Sequence, residues 1–369
     1  MQQHEQDQHP AHAERRQAPG KEGAEALCEQ VRRANADKTP LRIEGGGTKG
    51  FYGRPVEGET LTLAEHRGIT HYDPVELVVS VRAGTPLAEL EAALDAEHQQ
   101  LGCEPPHFGD NATVGGMIAS GLSGPRRPWA GAVRDFVLGT RLITHEGKHL
   151  RFGGEVMKNV AGYDLSRLMV GAQGTLGVVT EVSLKVLPKP TATHGLRLEL
   201  PLEKALQRFA EWGRHPLPIT AAAYHEGALH LRLEGGTSSV KATRERLGGD
   251  DLEAQFWEAL REQRLAFFDK GDPRPLWRLS LPNNTPPLAV DGDTLYDWAG
   301  AQRWLRSDSD ADTLRDVVGR AGGHATCLTP GSAEPFTPLS AVVAKYHRRL
   351  KAQLDPNGIF NPGRLYPEF

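Results

Sequence analysis

A chain of 369 residues has room for two or three domains. Its 38% apolar and 24% charged residues, and a net charge of −4 with both signs interspersed, describe a soluble globular protein and argue against binding nucleic acid or a membrane surface through bulk electrostatics. Cys28, Cys103 and Cys327 lie far apart and form no C-x-x-C pair, which argues against a zinc knuckle, a redox dithiol or a cysteine-ligated cluster and suits a reduced, cytoplasmic setting.

Residues 1–20 are polar, rich in Gln and His, and lack the apolar core of a secretory peptide, so they read as a disordered tail. No apolar run reaches the length of a bilayer span. A helix is predicted from Ala24 to Asn35, with Leu27, Val31 and Ala34 at helical spacing. "LRIE" then reads as a short strand running into "GGGTKG", and "ELVVSVRAG" as a buried strand. Thr85-Pro86 has the form of a helix cap, followed by the apolar stripe Leu87, Leu90 and Leu94. Thr113 is placed to cap a helix in "ATVGGMIASG". "DFVLGTRLIT" and "KHLRFGG" read as strands, "GYDLSRLMVG" as a helix and "GTLGVVTEVSLKVLP" as a long strand stopped by Pro188. Beyond the linker "KPTATHG" the glycine motifs stop. Residues 194–330 then read as two β-α-β-β units, the split pattern of a ferredoxin-like sandwich. A final amphipathic helix, Leu339 to Leu354, leads into "DPNGIFNPGRLYPEF".

The first glycine stretch, Gly45 to Gly50, matches G-x-G-x-x-G. A dinucleotide turn must open a helix, and "FYGRP" cannot begin one. A Walker loop fails as well, because no G-K-[ST] closes it. The remaining alternatives are a nest of backbone N–H groups turned toward one anion, with Thr48 and Lys49 adding a hydroxyl and a charge, or a solvated bend. "TVGGMIASG" offers a second set of backbone donors, with Thr113 and Ser120 as side-chain donors, and "AQGTLGVVTE" a third glycine turn. Three such segments in one α+β half suit a ligand with two phosphates and a large ring.

The segments "IEGGGTKGFYG", "DNATVGGMIASGLSGPRRPWAG", "KNVAGYDLSRLMVGAQGTLGVVTEVSLKVLPKP" and "LDPNGIFNPGRLYP" resemble the FAD-binding module of the vanillyl-alcohol oxidase/p-cresol methylhydroxylase superfamily. Within it they are most similar to the FAD-binding subunits of bacterial glycolate oxidases. The resemblance implies an α+β fold: a two-subdomain PCMH-type FAD-binding domain over residues 21–190, a ferredoxin-like cap over 194–330, and a helix and tail over 337–369 returning to the FAD domain. It implies that Gly45, Gly46, Gly47, Thr48, Lys49 and Gly50 bind the pyrophosphate. Thr113, Gly115, Gly116 and Ser120 would flank the pyrophosphate and the flavin, and Gly174, Gly177 and Val178 would pack near the cofactor. Many relatives attach FAD through a histidine in the first loop; Thr48-Lys49 stands there, so FAD is expected to be noncovalent.

Lys158 and Arg364 are candidate cations for the N1–C2=O edge of the reduced flavin, and His107 and His324 are candidate bases. His230 reads as a strand residue and His347 as a residue on a helix face. Catalytic relatives carry paired metal-binding histidine motifs that this chain lacks, so no metal site is expected. That departure favours a subunit working beside a catalytic flavoprotein subunit and an iron–sulfur subunit on a small 2-hydroxy acid, with any membrane contact indirect. The alternatives are a self-sufficient flavin oxidoreductase and a non-enzymatic assembly subunit.

Overall fold

The computed structural model describes residues 21–154 and 164–369. Helix Lys21–Asp37 buries Leu27, Cys28, Val31 and Ala34 against Leu41, Leu61, Ile143 and Phe360. Strand Leu41–Glu44 pairs in parallel with Glu59–Thr62. The C-terminal segment also joins Leu41: Leu41 N donates to Ile359 O at 2.7 Å and Asn361 N to Leu41 O at 3.1 Å. These pairings fix the exit of Leu41–Glu44, and so the origin of the first glycine loop, from both ends of the sequence.

A five-stranded antiparallel sheet follows, in the order Ile69–Asp73, Val78–Arg82, Val178–Lys185, Val137–Ile143, His149–Gly153. Helices Leu87–Ala96 and Val114–Ser120 lay Leu87, Leu90, Met117 and Ile118 on Val79, Val81, Val182 and Leu184. Thr85 does not cap the first of these helices. Its hydroxyl is taken by Gly68 N at 2.8 Å, and the helix starts after Pro86 with no side-chain cap. The long strand expected from Gly174 begins only at Val178, because Gly174 and Gly177 hold φ of +72° and +152° and turn the chain first. The helix expected in "GYDLSRLMVG" is, over the described residues, the single turn Leu165–Leu168 capped by Asp164.

The second half of the chain forms one eight-stranded sheet. Ala192–Glu199, helix Leu202–Trp212, Ile219–His225, Ala228–Gly235, helix Thr237–Leu247 and Asp250–Asp251 make one ferredoxin-like unit. Leu276–Ser280, Asp293–Asp297, Gln302–Arg306, helix Ala311–Arg320 and His324–Cys327 repeat it. The repeat lacks a helix between its first two strands, where Pro282, Pro286 and Pro287 remove backbone donors. The two units join where Tyr224 pairs with Tyr296.

One face of this sheet is covered by its own helices, through Phe209, Trp212, Leu229 and Leu231 in the first unit and Trp277, Leu305, Leu314 and Val318 in the second. The other face carries Ala221, Ala223, Leu295 and Trp304 onto Phe51 and Tyr52, immediately after the glycine loop. A buried ionic cluster clamps the two halves together. Arg126 pairs with Glu234 at 2.7 Å and Glu104 at 3.2 Å, and Arg232 pairs with Glu104 at 2.8 Å. Burial works to raise the Glu104 carboxyl, but Arg232 and Arg126 hold it below the ordinary carboxylate range.

Candidate functional site

A cleft of about 200 Å³ opens beside the first glycine loop. It is lined by Gly46, Gly47, Thr48, Lys49 and Gly50, by Thr113, Gly116 and Ser120, and by Arg364. The glycines serve different ends. A Cβ on Gly46 would lie 1.4 Å from Asn111 O, so this residue lets the first loop touch the backbone of the second. Gly47 has φ +72° and no atom within 4 Å of its Cβ position, so it turns the chain while leaving the cleft open. Among the described residues, the amides of Gly45, Gly46, Gly47, Thr48 and Lys49 meet no acceptor. Successive unspent backbone donors in a turn are what an anion nest is built from.

The two polar side chains of the loop do not add to that nest as expected. Thr48 Oγ1 donates to His107 O at 2.7 Å, and Lys49 Nζ donates to the same oxygen at 3.1 Å. Both brace the second loop. Burial pushes the Lys49 ammonium down to about 8, with Glu262 opposing the shift. Glu262 in turn accepts from Phe108 N at 2.8 Å and His107 N at 3.1 Å, tying the cap to the loop.

The second set of backbone donors, expected at the start of "TVGGMIASG", is already spent. Val114 N donates to Thr85 O, Gly115 N to Ala83 O, Gly116 N to Thr113 Oγ1 and Met117 N to Thr113 O. Thr113 caps the helix as predicted, and the capping consumes its acceptor. Ser120 Oγ donates to Met117 O at 3.2 Å. This segment therefore offers the cleft a shape rather than a row of free N–H groups. Gly45 and Gly115 lie behind the lining, packed on Thr113 and Ala83. The third glycine turn crosses the same helix, with Gly171 N on Ile118 O and Gln173 N on Ala119 O. Of that turn Gln173 reaches the lining; Gly174 packs on Asn361, and Gly177 and Val178 sit behind, where Val178 is buried opposite Ile143.

The returning C-terminal segment completes the cleft. Arg364 donates to Tyr52 O at 2.8 Å, Arg54 O at 2.5 Å, Lys49 O and Gly50 O at 3.3 Å, and Gln173 Oε1 at 2.8 Å. Its guanidinium is thus shared among the loop carbonyls, holding the loop in its curve. Asn361 accepts from Ile43 N at 2.8 Å and donates to Gln173 O at 2.7 Å. Behind it, buried Lys351 donates to Thr175 O, Phe360 O and Asp355. The sequence reading did not single out Arg42, Glu44, Tyr52, Gln173 or Asn361, all of which line the cleft. Gln173 and Asn361 lay inside motifs already recognised; nothing in the sequence told which of their residues would face the ligand.

The candidate bases are dispersed. The His107 imidazole lies 3.2 Å from Glu91 on helix Leu87–Ala96 and does not line the cleft. His324 opens the edge strand of the cap sheet, paired with Ser280. His230 is buried, stacked on Phe256 at 4.3 Å, and pushed down to about 4 by burial. His347 packs edge-on against Phe369. Lys158 lies outside the described residues. A second, small cavity of about 30 Å³ lies between the loops and the cap sheet, walled by Phe51, Phe108 and Trp304. Arg278 enters it, bonded to Tyr52 Oη at 3.1 Å and with no carboxylate partner among the described residues. Asp297 also lines it, accepting from Trp298 N at 2.7 Å and Gln302 Nε2 at 3.0 Å; burial raises its carboxyl to about 7.

Comparison with known proteins agrees with this architecture. The FAD binding domain family matches residues 22–153. The chain is 57% identical over 345 residues to the glycolate oxidase subunit GlcE of Escherichia coli (strain K12), spanning 94% of this chain and 98% of that one. It is 33% identical to a D-lactate dehydrogenase of Anaerostipes hadrus, over 57% of this chain and 44% of that one. Among solved structures, p-cresol methylhydroxylase superposes with a TM-score of 0.70 at 15% identity, over 92% of this chain and 87% of that one. Fold and cleft together define a PCMH-type FAD-binding protein carrying a ferredoxin-like cap. The chain belongs to the family of the glycolate oxidase subunit GlcE.

The residues present fit FAD. The diphosphate matches the free amides of the lining residues Gly46, Gly47, Thr48 and Lys49, and among the described residues the cleft lining contains no histidine that would attach the cofactor covalently.

Proposed function

We propose that this chain is the FAD-binding subunit of a glycolate (2-hydroxy acid) oxidase complex, holding FAD noncovalently and supporting oxidation of glycolate to glyoxylate. The observation that carries the reading is the row of unspent amides at Gly45–Lys49, in a chain matching GlcE across nearly its full length. FAD, when bound, supplies the two-electron acceptor for converting CH–OH to C=O. The residues of this chain bind and orient it. The nest holds the diphosphate, Arg364 and Asn361 keep the nest curved, and Phe51, Tyr52 and the cap sheet exclude water from the space beyond. Onward electron transfer falls to a catalytic flavoprotein subunit and an iron–sulfur subunit, because Cys28, Cys103 and Cys327 are buried on separate elements. The complex would work in the cytoplasm, touching a membrane only through its partners; among the described residues no helix is long and apolar enough to cross one.

A second reading, oxidation of a small hydroxy acid by this chain alone, draws on the cavity holding Arg278 and Asp297. Arg278 would take the substrate carboxylate, and Asp297 would hold or accept a proton near neutral pH. One experiment separates the two. The purified chain is loaded with FAD and its absorption spectrum followed anaerobically with glycolate or D-lactate, alone and with partner subunits. Bleaching of the isolated chain's flavin by either acid favours the second reading; bleaching only with partners favours the first. A chain that stays colourless in excess FAD sinks both.

A further inference from the structure

Most of the molecular surface is mixed in charge, but the Ala341–Leu354 helix differs. It carries Lys345, Arg348, Arg349 and Lys351 and no carboxylate, in a chain whose net charge is −4. Lys351 is turned inward onto Asp355, while Lys345, Arg348 and Arg349 are exposed and have no ion-pair partner among the described residues. The same helix leaves Val342, Val343 and Tyr346 exposed by 65%, 42% and 62%. Val343, Tyr346, His347 and Leu350 follow the i, i+3, i+4, i+7 spacing of one helix face. The helix already buries Ala344 and Lys351 on another side, so this stripe is left over from its own packing. The stripe leads into a groove of about 1200 Å³ whose other walls include Leu165, Leu168, Leu176, Leu365 and Phe369. Arg134 stands at its edge, again without an ion-pair partner among the described residues. Asp164 and Arg167, paired with each other at 3.2 Å, also line the groove, so the unpaired charge beside it is that of the helix and Arg134. An exposed apolar stripe flanked by unpaired cations marks a docking face.

We infer that the groove between the Ala341–Leu354 helix and the Leu165–Leu168 turn receives an amphipathic helix of another protein subunit, apolar where it enters the groove and carboxylate-bearing along its flanks. The inference rests on the reading of this chain as a subunit of a complex. The wall helix is about 20 Å long at 1.5 Å per residue, a length a partner helix of three to four turns would match. Charge selects the occupant. Two copies packed through this helix would bring cations together with no carboxylate from the helix to offset them, so self-association through it is disfavoured. A bilayer would suit the cations, but a concave apolar surface cannot lie flat on a headgroup layer, whereas a helix fills it. The groove and the FAD cleft share no lining residue; they are separated by the turn in which Gly171, Ala172 and Thr175 face the groove and Gln173 the cleft.

The test uses the full chain co-expressed with the GlcD-type subunit of its own organism, in three forms: wild type, V343D/Y346D and R348E/R349E. The wild type is expected to co-purify with the partner. Each double variant should lower the retained partner by about tenfold or more, with FAD content and melting temperature of the isolated chain unchanged. Both charge reversals sit on exposed positions, so R348E/R349E remains informative even if V343D/Y346D folds poorly. Partner retention equal to wild type in R348E/R349E overturns the inference. It is equally overturned if the wild type sediments with phosphatidylcholine/phosphatidylglycerol vesicles, or dimerises with rising concentration, and the variants abolish that behaviour instead. A wild type that captures no partner removes the complex reading first, and this surface with it.

Discussion

Replacing Arg364 with alanine separates two roles for this cation. The sequence suggests a charge placed for the flavin ring, whereas the structure has its guanidinium occupied by loop carbonyls. The bonds to Tyr52 O at 2.8 Å and Arg54 O at 2.5 Å are the short ones, and those to Lys49 O and Gly50 O, at 3.3 Å, are weak. A hydrogen bond from a charged donor contributes about 1.5–3 kcal/mol, so the two short bonds alone amount to about 3–6 kcal/mol. For a unit of this size that corresponds to a fall in melting temperature of at least about 6 °C. Losing the brace should also relax the amide row and weaken FAD binding by roughly 10- to 100-fold, or about 1.4–2.8 kcal/mol. Lysine should restore little, because a single ammonium cannot span several carbonyls as a planar fork does. The assays are thermal unfolding without cofactor and titration with FAD followed by flavin fluorescence. The reasoning is refuted if R364A melts within about 2 °C of wild type and keeps its FAD affinity while the flavin midpoint potential shifts.

Further substitutions test other parts of the site. Gly46→Ala places a Cβ 1.4 Å from Asn111 O, so the two loops must part; the protein should lose FAD from its absorption spectrum and several kcal/mol of stability in denaturant titration. Asp297 has a folded pKa raised to about 7 from an ordinary 3.8, so the native state holds a proton that the unfolded chain releases. Its contribution is full below about pH 4 and is lost as pH rises through 7, by on the order of 4 kcal/mol. Asp297→Asn should flatten the stability-versus-pH curve between those limits, as read by urea unfolding at each pH. Removing Glu104 with glutamine leaves the two buried guanidinium groups of Arg126 and Arg232 with Glu234 as their one remaining carboxylate partner among the described residues; a loss of about 3 kcal/mol is expected in the same assay, with rising proteolysis between the two halves of the chain.

Where neighbours in sequence decide the outcome, the reading from sequence held. The glycine loop failed as a dinucleotide turn because "FYGRP" cannot open a helix, and the loop indeed runs into irregular chain rather than a helix. The final helix, expected over Leu339 to Leu354, forms over Ala341–Leu354, since its apolar periodicity and flanking breakers are local. What sequence could not foresee is how donors are spent across the fold. Whether the amides of Val114 and Gly115 are free depends on the carbonyls of Thr85 and Ala83, which tertiary packing brings beneath them. The same holds for Thr85, an apparent helix cap whose hydroxyl was claimed by Gly68. His107 is a candidate base by sequence, yet its imidazole turns to Glu91 while its backbone engages Lys49 and Glu262. Side-chain direction at an irregular, proline-flanked position has no period from which to read it.

The bond from Ile43 N to Asn361 Oδ1 spans 318 positions of the chain, and Arg364 reaches back over a similar distance to Lys49. During synthesis the glycine loop therefore emerges from the ribosome long before the residues that shape it. Nascent chains lacking this late segment would carry an unbraced loop, so cofactor loading belongs after translation has passed Arg364. A premature stop codon near the 3′ end of the message would then yield a polypeptide that keeps most of its fold and cannot hold its flavin.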